Sequence, residues 1–129
     1  MDIMTFPQTT AWLAVFLGFL VLVLTARVSI ARQNSGTPFG DGSIGQTVRA
    51  QANLTETAAL VLILLGLAEM GGARGLFVTV IAVFYAVVRV VHAIGVTSGD
   101  GNGPLRIVGG GGTLLTLLAS SGLLVLTLL

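Results

Sequence analysis

Four long stretches of the chain are dominated by apolar residues, separated by short polar breaks. They cover residues 9–31, 44–70, 73–96 and 104–128. None shows the strict alternation expected of a half-buried strand. Each is long enough, as a helix rising about 1.5 Å per residue, to cross a hydrocarbon core of about 30 Å. The breaks carry turn chemistry. Residues 34–43 read NSGTPFGDGS and residues 97–103 read TSGDGNG, both rich in Gly, Asn and Asp. Gly71 and Gly72 interrupt the second and third stretches, and Pro104 stands where the first turn of a helix tolerates it. The pattern predicts an all-α membrane protein, a bundle of four transmembrane helices forming one domain over residues 1–129.

The second stretch is uneven. Residues 57–68 are nearly all apolar, whereas QTVRAQANLTE before them would not be read as membrane-embedded on their own. Residues 11–26 make a poor signal peptide, because no basic residue precedes them and the run is long for the purpose. They are expected to form a permanent first span. Four consecutive glycines at 109–112 lie inside the fourth stretch. With no preceding strand and no following Lys-Ser/Thr they do not resemble a phosphate loop. They read instead as a close helix contact through small residues.

Composition agrees with burial in lipid. Hydrophobic residues make up 54% of the 129 residues, charged residues 9%, and mean hydropathy is +1.01. Soluble domains usually carry about 25% charge. The net charge of +1 is no nucleic-acid footprint. Cysteine is absent, which excludes disulfides, thiolate metal sites and a protein thiol nucleophile. One histidine and few carboxylates leave little for a protein-only metal centre.

All six basic residues are arginines. Arg27 and Arg32 flank the first connection, Arg106 flanks the third, and Arg74 stands alone at the second. The positive-inside rule then places the first and third connections in the cytoplasm, with both termini on the other side. Trp12 and Phe6 are expected at the interface near the N-terminus.

The polar residues inside the spans form a set. Arg49, Asn53 and Glu56 recur at i, i+4 and i+7, along one helix face. Gln51 lies about 160° from Asn53 and faces another neighbour. Arg89 and His92 are i, i+3 on the third helix, and Arg106 opens the fourth. All fall in the half of the membrane expected to be cytoplasmic. A charged side chain deep in the bilayer costs at least about 2.5–3.5 kcal/mol, so such residues face protein or a wet cavity. Two readings stand side by side. In one, Arg49 and Arg89 snorkel to the headgroups, Glu56 pairs with Arg89 as buried glue, and His92 is interfacial. In the other, the set lines a site for a small anionic or zwitterionic ligand. Guanidinium forks match a carboxylate, and Glu56 takes an ammonium or organises an arginine. A thiol on such a ligand would ionise more readily beside arginine. Arg27 fits either reading. Glu69 and Arg74 read as a local pair around the Gly71-Gly72 turn.

These residues carry a resemblance. RAQANLTE (49–56), followed by an apolar half-helix ending in AEMGG, resembles the signature of the MAPEG family, the membrane-associated proteins in eicosanoid and glutathione metabolism. RVVHAIG (89–95) is similar to that family's third-helix motif, and PFGDGS (38–43) to its bacterial branch. PLR (104–106) resembles the start of the fourth helix in its eicosanoid-metabolising branch. The motifs span about half the chain, in the family's order and spacing.

The resemblance implies a homotrimer of four-helix bundles in a bacterial inner membrane, with glutathione bound between subunits near the cytoplasmic face. It assigns Arg49, Asn53, Glu56 and Arg89 to glutathione contact, and Gln51, His92 and Arg27 from the polar set join them as candidate glutathione-binding residues. Arg106 takes the part of the arginine that stabilises the glutathione thiolate. Gln51 stands where several of the family's enzymes have histidine. Ile94, Gly95 and Val96 occupy the region where the eicosanoid branch has tyrosine, and the arginine-rich end of the third connection is missing. These departures point away from an eicosanoid substrate. The implied activity is a glutathione transferase or peroxidase acting on a lipophilic electrophile from the bilayer. Two other classes compete. A non-catalytic scaffold would keep the fold without the chemistry. A small four-helix transporter would need an acid within its first span, and there is none here.

Overall fold

A computed structural model describes residues 6–97 and 103–129. Four helices follow one another: α1 (Gln8–Ser35), α2 (Gly45–Met70), α3 (Gly75–Thr97) and α4 (Pro104–Leu128). A single 3-10 turn, Gly42–Ile44, precedes α2. All four helices are long and apolar enough to cross a membrane.

Their limits follow from local chemistry. The first helix was expected to end at 31, yet α1 continues a further turn to Ser35. Residues 32–35 are polar enough to leave the membrane but contain no helix breaker. The break comes at Gly36, which adopts the left-handed conformation (φ 65°) and donates its N–H to the Arg32 carbonyl. Arg32 also organises the connection itself. Its guanidinium donates to the carbonyls of Thr37 (3.2 Å), Pro38 (3.4 Å) and Gly40 (2.9 Å). The third helix, expected from 73, begins at Gly75, because Gly72 (φ 93°) turns the chain and Ala73 N–H still bonds the Ala68 carbonyl. Helix α4 starts with Pro104 in its first turn. Of the connection expected at 97–103, residues 98–102 lie outside the described residues, and Thr97 is still helical.

Helix α2 touches all three other helices, α1 also packs on α3, and the contact between α3 and α4 is extensive. The shared core is built from Leu13 and Leu17 on α1, Leu54, Val61 and Leu65 on α2, and Val78, Ala82 and Tyr85 on α3. Helix α4 contributes differently. Its buried residues are Gly109, Thr113, Thr116 and Ser120. Small side chains let its backbone approach α3 closely. A Cβ on Gly109 would collide with the backbone and Cβ of His92. A Cβ on Gly112 would lie 2.6 Å from a Val88 methyl. Across the same contact, a Cβ on Gly95 would lie 2.6 Å from the Arg106 nitrogen.

The outer surface is apolar on every helix: Phe19 and Leu22 on α1, Ile63 on α2, Val83 on α3 and Leu118 on α4 are all exposed. A surface of this kind is an aggregation liability in water and the natural solvent face in hydrocarbon. At the end of the bundle holding the α2–α3 turn, Glu69 ties α2 to the start of α1. One carboxylate oxygen accepts from Thr9 N–H (2.9 Å), and the other accepts from Thr10 N–H (2.8 Å) and Thr10 Oγ1 (2.7 Å). Pro7 provides no capping side chain, so the cap of α1 comes from another helix. A carboxylate at a helix N-terminus also complements the helix dipole.

Candidate functional site

Helix α3 presents Tyr85, Arg89 and His92 at i, i+4 and i+7, and all three are buried. That spacing stacks them on one face, along the line where α3 meets α2 and α4. Tyr85 reaches α2, its hydroxyl 3.0 Å from Thr57 Oγ1. The Thr57 hydroxyl donates to the Asn53 carbonyl (3.1 Å), which leaves Tyr85 as the donor between the two hydroxyls. Arg89 reaches α4. Its Nη1 donates to Thr113 Oγ1 (3.1 Å), and the Thr113 hydroxyl in turn donates a hydrogen bond to the Gly109 carbonyl (2.9 Å). Only 2% of Arg89 is exposed, and its Nε has no partner. The His92 ring nitrogens are buried with no well-formed hydrogen bond, though the Arg106 backbone lies close by. Arg89 lies eight residues before the end of α3, about 12 Å along the helix.

On α2 the picture is different. The buried line runs through Ala50, Leu54, Val61 and Leu65. Arg49, Asn53 and Glu56 are turned about 100–160° away from Leu54 around the helix. Accordingly Arg49 and Glu56 are exposed and Asn53 is half-buried. Gln51 is half-buried on the other flank. Glu56 lies about 16 Å beyond the start of α2, a depth at which an exposed charge needs a wet cleft or a neighbouring chain. No ion pair joins Glu56 to Arg89, so the expectation of a structural pair between them is not met: one faces out of the bundle, the other into the α3–α4 contact.

Arg27 is exposed on α1, and Arg106 is exposed in the first turn of α4. The first and third connections lie at the same end of the bundle, so the four helices place these candidates toward that end. The chain itself unites Arg89, His92 and the α4 backbone around Arg106. Among the described residues, no hydrogen bond or ion pair joins the side chains of Arg49, Asn53 and Glu56 to Arg89 or His92. Sequence reasoning missed the three hydroxyl residues Thr57, Tyr85 and Thr113. Tyr85 was findable, four residues before Arg89 on the same face. Thr57 and Thr113 belong to other helices, and their partners depend on packing.

Glu69 was expected to pair with Arg74. Its carboxylate is instead committed to Thr9 and Thr10. Arg74 lies over the Phe77 ring, 5.6 Å from its centroid.

No curated protein and no solved structure matches this chain in comparison. The sequence profile of the MAPEG family matches residues 10–126, from the first turn of α1 to the last turn of α4. That match takes in all four apolar helices and every candidate residue named above, and with it the chain belongs to the MAPEG family.

Proposed function

We propose that this protein binds glutathione and is a glutathione transferase or peroxidase acting on lipophilic electrophiles that arrive through the bilayer. The observation that carries the reading is Arg89. It is a buried guanidinium held by a threonine hydroxyl, with an unpartnered Nε and no carboxylate in ion-pair contact among the described residues. A buried charge without a counter-charge is costly, and an anionic ligand supplies the missing partner. Glutathione carries two carboxylates and an ammonium, which suits arginines interleaved with Glu56 and Asn53.

In this reading Arg49, Asn53 and Glu56 contact glutathione from α2, Arg89 anchors a carboxylate, and Gln51, His92 and Arg27 line the surroundings. The polar face of α2 points out of its own bundle, so a neighbouring copy completes the cleft, in keeping with a homotrimer. Arg106 places positive charge beside the sulfur, where it favours the thiolate and the charge of the transition state. The thiolate is the nucleophile, and the protein needs none of its own. The arginine distribution supports cytoplasmic placement of this end, with both termini on the opposite side.

A conjugation assay in detergent with a lipophilic aryl halide, paired with thiolate absorbance against pH, tests the chemistry. Wild type should conjugate. Arg106→Ala should keep glutathione binding while the thiolate titration moves toward that of a free thiol, near pKa ~8.5. An unchanged titration would remove Arg106 from its role, and binding without conjugation would favour a scaffold.

A further inference from the structure

The end of the bundle remote from Arg89 carries a groove of about 640 Å³ between α3 and α4. Its origin lies in the glycine contacts. Gly95, Gly109 and Gly112 bring the two helices together at one end, whereas a Cβ on Gly122 would find nothing within 4 Å. The groove lies beyond that close contact, toward the α2–α3 turn. Phe77 and Ile81 line the gap on α3, and Leu123 and Leu126 line it on α4. Arg74 stands at its mouth, held over the Phe77 ring.

Among the described residues the charge at this mouth has no ionic partner. Glu69 is five residues away in sequence, but both its oxygens are taken by the start of α1. Among the described residues no carboxylate pairs with Arg74. Arg74 lies in the turn between two spans, level with the headgroup layer of a bilayer. The groove below it is apolar and open along its side.

We propose that this groove binds an anionic phospholipid, its phosphate on Arg74 and one acyl chain laid between α3 and α4. The guanidinium fork matches phosphate geometry. The open side lets the second acyl chain stay in the bilayer, which favours a two-chain lipid over a free fatty acid. An anionic headgroup is favoured over a choline, whose own cation competes for the phosphate. The site is independent of the glutathione reading, because it shares no residue with that end of the bundle.

Native mass spectrometry of the detergent-solubilised protein tests this, with phosphatidylglycerol, phosphatidylcholine or palmitate added at equal concentration. Wild type should retain phosphatidylglycerol about tenfold more tightly than phosphatidylcholine, the scale of one charge-assisted contact. Arg74→Gln should abolish that preference. Gly122→Leu, which fills open space on an exposed helix face, should weaken retention of both lipids without lowering the thermal midpoint. Equal retention of the two phospholipids by wild type overturns the proposal, as does an undiminished preference in Arg74→Gln. Displacement of phosphatidylglycerol by equimolar palmitate would overturn it in favour of a free-acid site. Exclusion of all lipid by a neighbouring copy, seen as cross-linking between cysteines introduced at Gly122, would overturn it too.

Discussion

Arg49, Asn53 and Glu56 were legible as a set from spacing alone, because helical periodicity does not depend on what the helix packs against. Partners were not legible where they lie far apart in the chain. Glu69 has Arg74 five residues away and Thr10 fifty-nine residues away, and it binds Thr10. Backbone N–H groups at a helix start are unsatisfied donors, and Thr9 and Thr10 offer two of them together with a hydroxyl. Glu69→Ala should therefore destabilise the protein by about 1–2 kcal/mol, the usual range for losing a helix cap. Thermal unfolding in detergent reads the effect. Thr10→Val removes only the hydroxyl bond and should cost less. Adding it to Glu69→Ala should cost almost nothing further, because the partner is already gone. Additive losses would mean that the two side chains act separately.

At the scale of the helices, apolar run length located all four spans, while their ends depended on capping. Helix α1 passes its expected end because polar residues can leave a membrane while remaining helical, and only Gly36 stops it. Only half of the glycine run in α4 is a packing device. Gly109 and Gly112 face α3 without room for a Cβ, whereas Gly110 and Gly111 meet nothing within 4 Å. Gly109→Ala should thus force α3 and α4 apart and lower the unfolding midpoint, since overpacking typically costs about 1–3 kcal/mol. Gly110→Ala should be neutral or stabilising by up to about 1 kcal/mol, from helix propensity alone. Thermal midpoints of the two variants, measured side by side, check the division. The same α3–α4 contact fixes the backbone of Arg106 against Gly95, so Gly95→Ala is expected to disturb the placement of Arg106 before it disturbs α2.

For the whole molecule, the arrangement separates two ends with different chemistry. One carries Arg49, Glu56, Arg89 and Arg106, and the other carries the Glu69 cap and Arg74. The proposed orientation is checked by single cysteines introduced at Gly36 and beyond Leu128 in intact cells. A membrane-impermeant thiol reagent should label the C-terminal position and spare Gly36, and the reverse pattern would invert the topology. The proposed homotrimer would cover the exposed polar face of α2: native mass spectrometry from mild detergent should show three chains, and a stable monomer would overturn that proposal. The central claim is that this end binds glutathione, and isothermal calorimetry in detergent tests it most directly. Wild type should bind glutathione at millimolar concentration or below. Arg49→Ala, Glu56→Gln and Arg89→Ala should each weaken binding about tenfold or more, since losing a hydrogen bond to a charged group costs roughly 1.5–3 kcal/mol. No heat of binding for wild type at millimolar glutathione, in protein that is folded and trimeric, would contradict the account.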